Sequence, residues 1–235
     1  MRKLFVLCAC CLSLVTVAQV QSGDSLYSVS LQAGYGHNLT YGSFANVDVN
    51  AYMPINRYFE AEANVRMSTA NVYSLGLQVR PKFALPVGEL FLEDRLLGRF
   101  VTRDQVNEFM HAISVGYRMQ YVNVQLGLFS RVIVPLPYEL NSDNAYIVEP
   151  FNLLYRVEAF VRPHSSCWNI SLAISNVDKQ MMERAWNPML YVGGWYDVDK
   201  HWRVRLSGKY KNAGMFHMNA HYYAAEVQVG AEYRF

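Results

Sequence analysis

From Tyr27 to the carboxy terminus, apolar and polar residues alternate with period two, the spacing that sends successive side chains to opposite faces of a strand. Tyr27, Val29, Leu31, Ala33 and Tyr35 alternate with Ser28, Ser30, Gln32 and Gly34; Ala45, Val47, Val49, Ala51 and Met53 then enclose Asn46, Asp48 and Asn50. Phe59, Ala61, Ala63, Val65 and Met67 share one face of a third segment, with Glu60, Glu62, Asn64 and Arg66 on the other. The same pattern predicts strands over 73–80, 90–100, 109–120, 122–134, 151–162, 168–174, 190–198, 202–210 and 222–235. Two outward positions break it: Asp94, where a bulge, a rim position or a covering protein contact is expected, and His111, near the start of its strand.

Turn chemistry separates these segments. Pro54-Ile55-Asn56-Arg57, Leu85-Pro86-Val87-Gly88, Pro163-His164-Ser165-Ser166 and Asp197-Val198-Asp199-Lys200 supply the residues that tight connections favour. Between Gln120 and Asn123 no Gly or Pro marks a turn, but the apolar parity flips from odd to even, and an unbroken strand would far exceed the ~9–11 residues that cross a bilayer. The connections over 135–146, 178–188 and 212–221 are longer and alternate with the short ones. Long connections therefore gather at one end of the sheet.

The first residues read differently. Arg2 and Lys3, an apolar run from Leu4 to Val15 and the small-residue site Thr16-Val17-Ala18 form a secretory signal, residues 1–18, leaving a mature domain over 19–235. Cleavage removes Cys8, Cys10 and Cys11, so Cys167 stands alone and no intrachain disulfide framework is expected. It also removes two cations from a chain with 21 Lys+Arg and 19 Asp+Glu, which brings the mature protein to formal neutrality. Nucleic acid is thus not an expected partner. Hydrophobic residues make up 52% yet mean hydropathy is +0.00, because polar and apolar residues are mixed one by one and no ~20-residue apolar run follows the signal.

The closing segment carries a resemblance. Tyr223, Ala225, Val227, Val229, Ala231, Tyr233 and Phe235 alternate with Glu226, Gln228, Gly230, Glu232 and Arg234, and the chain ends on Phe. This resembles the last strand of an outer-membrane β-barrel protein of Gram-negative bacteria. The resemblance implies an all-β fold, a transmembrane antiparallel up-and-down barrel of about twelve strands, with both termini periplasmic and outer-membrane lipid around it.

In such a barrel the polar parity faces the lumen, which assigns Glu60, Glu62, Arg66, Arg80, Arg118, Arg131, Arg156, Glu158, Arg203, Arg205, Glu226 and Arg234 to its lining, with Glu93 and Arg95 beside them. They read as cross-strand ion pairs that stiffen the interior, or as a charged eyelet on a solute path; Arg outweighs Glu, so a pore leans anionic. The function expected is a small-solute channel or structural barrel. The alternatives are a non-enzymatic subunit of a larger envelope transport or assembly complex, with other envelope proteins as partners, and a rim-acting lipid hydrolase. No local motif joins a Ser to His111, His217 or His221, so no catalytic residue is assigned. His217, Asn219 and His221 share a face if extended, but no acidic or Cys ligand lies close in sequence, and no metal or cofactor is expected. Trp195 and Tyr196 read as girdle aromatics, while Trp186, Met181 and Met182 suggest a loop folded into the mouth.

Overall fold

The computed structural model describes residues 27–39, 42–102, 106–135, 147–163, 166–176, 188–213 and 221–235, and in it twelve strands close one antiparallel sheet into a barrel. In chain order they are β1 (Ser28–Asn38), β2 (Gly42–Asn56), β3 (Phe59–Ser68), β4 (Val72–Leu85), β5 (Gly88–Val101) and β6 (Val106–Arg118). The second half comprises β7 (Val122–Pro135), β8 (Ile147–Phe160), β9 (Trp168–Ser175), β10 (Met189–Asp197), β11 (Trp202–Ala213) and β12 (His221–Arg234). Every strand pairs with its neighbours in sequence, and β12 returns to β1 in continuous register from Ser28↔Arg234 to Asn38↔Ala224. Closure satisfies the backbone groups that an open edge would leave unpaired.

The two parities separate as period two demands. Leu31, Leu77, Ile113, Leu126, Leu172, Leu206 and Val227 are exposed on the outer surface, while Asp48, Glu60, Arg66, Glu93, Arg99 and Glu226 are buried inside. An apolar exterior around a charged interior is the reverse of a soluble barrel and suits a lipid solvent. Exposed aromatics mark both ends of the belt: Tyr35, Tyr73, Phe100 and Phe109 toward the long connections, and Tyr58, Phe83, Tyr121, Tyr196, Trp202 and Phe235 toward the short ones. The parity flip is a turn, with β6 ending at Arg118 and β7 starting at Val122.

Several details differ from the pattern. Pro54 is not in a turn: β2 continues to Asn56 past a register shift, and the turn is capped by the Asn56 side chain accepting the Tyr58 N–H at 2.8 Å. A bulge absorbs the donor that Pro54 lacks. Asn212 and Ala213 extend β11, and His221 opens β12. There is no bulge at Asp94: the β5–β6 register runs unbroken through Asp94↔Ile113, and Asp94 points outward. Trp195 is not a girdle residue but faces the lumen, since inward parity in β10 falls on Tyr191, Gly193 and Trp195. Trp186, Met181, Met182, His217 and Asn219 lie outside the described residues.

The lumen also contains apolar packing. Ala112, Phe129 and Leu154 form a buried cluster with Met110 against it, and Phe91 and Leu97 are buried on the adjoining strand. The Phe91 ring lies across Gly116, where any Cβ would collide with it, and the guanidinium groups of Arg80 and Arg118 stand 5.3 and 5.4 Å from its centroid. These side chains pack part of the β5–β8 side of the interior.

A charged path along the β8–β11 wall

Inward side chains on the opposite wall are short. Ser171 of β9, Gly193 of β10 and Ser207 of β11 line a cavity of about 270 Å³, and a second cavity of about 320 Å³ is bordered by residues of β3–β8, Phe91, Glu93 and Gln125 among them, as well as by β10 and β11. Both cavities are lined by Arg156, Glu158, Tyr191, Trp195 and Arg205, so these five stand where the two adjoin. Arg66 and Lys209 line the first; Glu62, Arg80, Arg118 and Arg203 line the second. Glu60, Arg131, Glu226 and Arg234 also lie on the inner face but line neither cavity, being engaged in ion pairs.

Four networks hold these charges. At the seam, Arg66 of β3 reaches Asp48 of β2 at 3.1 Å and Glu226 of β12 at 3.0 Å, across β1. That reach is possible because β1 offers Gly34 at this level: a Cβ there would stand 2.7 Å from both Asn46 Oδ1 and Gln228 Cγ. The second network centres on Glu60 and Glu93. Arg80 bridges both, at 2.7 Å to Glu93, while Lys82 and the Tyr52 hydroxyl donate to Glu60 at 3.1 and 2.9 Å and Arg95 pairs with Glu93 at 2.7 Å.

Toward the long connections, Arg99 pairs with Glu108, and Arg131 joins Glu108 at 3.4 Å to Glu149 at 2.7 Å. At the other end Asp197 accepts from Arg203 at 2.5 Å and Arg234 at 2.8 Å, and Glu232 accepts from Arg234 and Arg205. Most lumen charge is therefore compensated and structural, because buried ions persist only when paired and hydrogen-bonded.

The cations facing the cavities are less fully tied. Among the described residues Arg156 pairs with Glu158, its own strand neighbour two residues on, at 2.9 Å. Arg205 pairs with Glu232 while its side chain stays 41% exposed. Lys209 has no carboxylate partner among the described residues and lies 5.5 Å from the Tyr191 ring centroid, as Arg156 does on the same ring. Arg203 sits 5.1 Å from the Trp195 ring. Sequence parity assigns these arginines to the lumen, but Lys209, Tyr191 and Trp195 were not among the assigned lining. Their signal was only their parity: Lys209 shares it with Arg203 and Arg205.

No protein-family model matches the chain, and no curated protein matches it. Solved structures do. The KdgM porin in complex with disordered oligogalacturonate is 10% identical with a TM-score of 0.55, over 88% of this chain and 99% of that one. The translocator domain of the autotransporter NalP from Neisseria meningitidis is 14% identical with a TM-score of 0.53, over 97% and 95%. Outer membrane phospholipase A from Escherichia coli is 10% identical with a TM-score of 0.51, over 93% and 96%. The chain has the outer-membrane β-barrel fold. Porins, a translocator and an enzyme share it, so this barrel's role is argued from its own interior.

Proposed function

We propose that this protein is a small-solute channel of the bacterial outer membrane, surrounded by lipid, with its termini periplasmic and a preference for anions. The observation that carries this reading is the concentration of Arg156, Arg203, Arg205 and Lys209 around two lumen cavities, with Lys209 lacking a carboxylate partner among the described residues. Lumen charge sets which ion enters, since an entering anion replaces part of its hydration shell with fixed cations. The likeness to a porin seen with an oligogalacturonate agrees with this preference. The aromatic faces of Tyr191 and Trp195, held against cations, add flat surfaces along the path. Reconstituted liposomes test it: a small carboxylate should enter faster than a neutral solute of equal size, and Lys209→Glu should narrow the difference. Equal rates for the two solutes, unchanged by Lys209→Glu, would sink the anion preference.

A further inference from the structure

Three polar residues on consecutive strands interrupt the outer apolar belt. Asp94 of β5 and His111 of β6 are diagonal neighbours, with His111 Nε2 2.8 Å from Asp94 Oδ1, and their side chains are 62% and 46% exposed. Ser130 of β7 is directly opposite His111 in the register and shares its outward parity. Apolar outward residues bracket each of them along its strand: Leu92 and Leu96 on β5, Phe109 and Ile113 on β6, and Leu128 and Val132 on β7. Ionisable groups on a lipid-facing surface are costly, and no ion pair inside the lumen requires these.

The placement of the three is chemically ordered. An ionised carboxylate only accepts, so the shared hydrogen belongs to Nε2, and in a neutral imidazole the lone pair then lies on Nδ1. His111 thus stands between an acid on one flanking strand and a hydroxyl on the other. Residues directly opposite in an antiparallel pair have Cβ atoms about 4.5–5.5 Å apart, a separation that a serine and an imidazole close by side-chain rotation. On its other side Ser130 meets the β7–β8 register shift, whose extra residue lies in β8, while its own register with β6 is unbroken. His111 is one outward position below Phe109, whose ring packs edge-on against Phe100 at 6.1 Å. That aromatic level marks the headgroup boundary, the depth at which lipid esters lie.

We propose that Asp94, His111 and Ser130 form a lipid-facing site that hydrolyses acyl esters of the surrounding bilayer, an activity separate from the solute path. Ser130 Oγ adds to the ester carbonyl carbon while His111 Nδ1 takes the hydroxyl proton; the carbon–oxygen bond to the lipid alcohol then breaks, and the alcohol leaves with that proton. Water adds to the acyl-serine, gives a proton to His111, and the fatty acid departs as the proton returns to Ser130 Oγ. Asp94 holds the imidazole tautomer and offsets its charge while it carries the proton.

Purified barrel in mixed micelles with a diacyl phosphatidylethanolamine should release fatty acid, and a fluorophosphonate probe should label Ser130. Ser130→Ala and His111→Ala should each lower release by about 100-fold or more. Because Ser130 faces away from the lumen, Ser130→Ala should leave channel conductance unchanged, which also reports that the variant is folded. Absence of release from the parent protein, or release undiminished in Ser130→Ala, would overturn the assignment whatever the fate of the channel reading.

Discussion

Arg66 secures the closing seam, because its guanidinium ties β3 to both β2 and β12 across the first strand. Arg66→Ala would strand Asp48 and Glu226 in a buried site, and breaking a buried pair costs about 3–5 kcal/mol. The urea midpoint of the refolded barrel in micelles should fall accordingly, whereas a solvated surface pair of the same type would shift it little. Gly34 makes a complementary case. A methyl group there meets Asn46 and Gln228 at 2.7 Å, and the Val227 carbonyl at 3.0 Å, so Gly34→Ala should cost about 1–3 kcal/mol in the same assay.

Among the elements, the β10–β11 turn shows how a short connection is fixed. Asp199 accepts from the backbone N–H groups of Trp202 and His201, each at 2.7 Å, and these bonds hold its carboxyl below the usual aspartate range. The ionised form therefore favours the folded turn at pH values above that range, and the contribution disappears as pH falls through the lowered value. An Asp199→Ala variant should be less stable than the parent at neutral pH, and the gap between their unfolding midpoints should close progressively below pH of about 4.

Strands were also the level at which sequence was most legible. Period two fixes which residues face in and out, and a parity flip alone locates the turn after Arg118. Inward apolar packing was not legible, because Leu97, Phe129 and Leu154 each follow an outward apolar residue, Leu96, Leu128 and Leu153, and the pairs blur the alternation. The juxtaposition of Asp94, His111 and Ser130 was not legible either. Register between strands decides it, and each residue alone is one break in its own strand's pattern.

For the whole molecule, the interior is divided by side-chain size and by charge. Bulky inward residues pack part of the β5–β8 side, Ser171, Gly193 and Ser207 line the first cavity, and Arg156, Arg203, Arg205 and Lys209 border the two cavities. On the proposed channel reading, the side chains that line both cavities, Arg156, Glu158, Tyr191, Trp195 and Arg205, are where solute size and charge would be selected. Arg156→Ala removes one of the two arginines there and should widen the opening between the two cavities, raising single-channel conductance without changing how the barrel assembles. The central claim, an anion-preferring channel, is tested most directly by reversal potential in a planar bilayer under a potassium chloride gradient. The account predicts discrete conductance steps whose reversal potential lies on the chloride side of zero and moves toward the potassium side in an Arg205→Glu, Lys209→Glu double variant. Folded barrel that inserts without conductance steps, or a cation-side reversal potential in the parent protein, would contradict it.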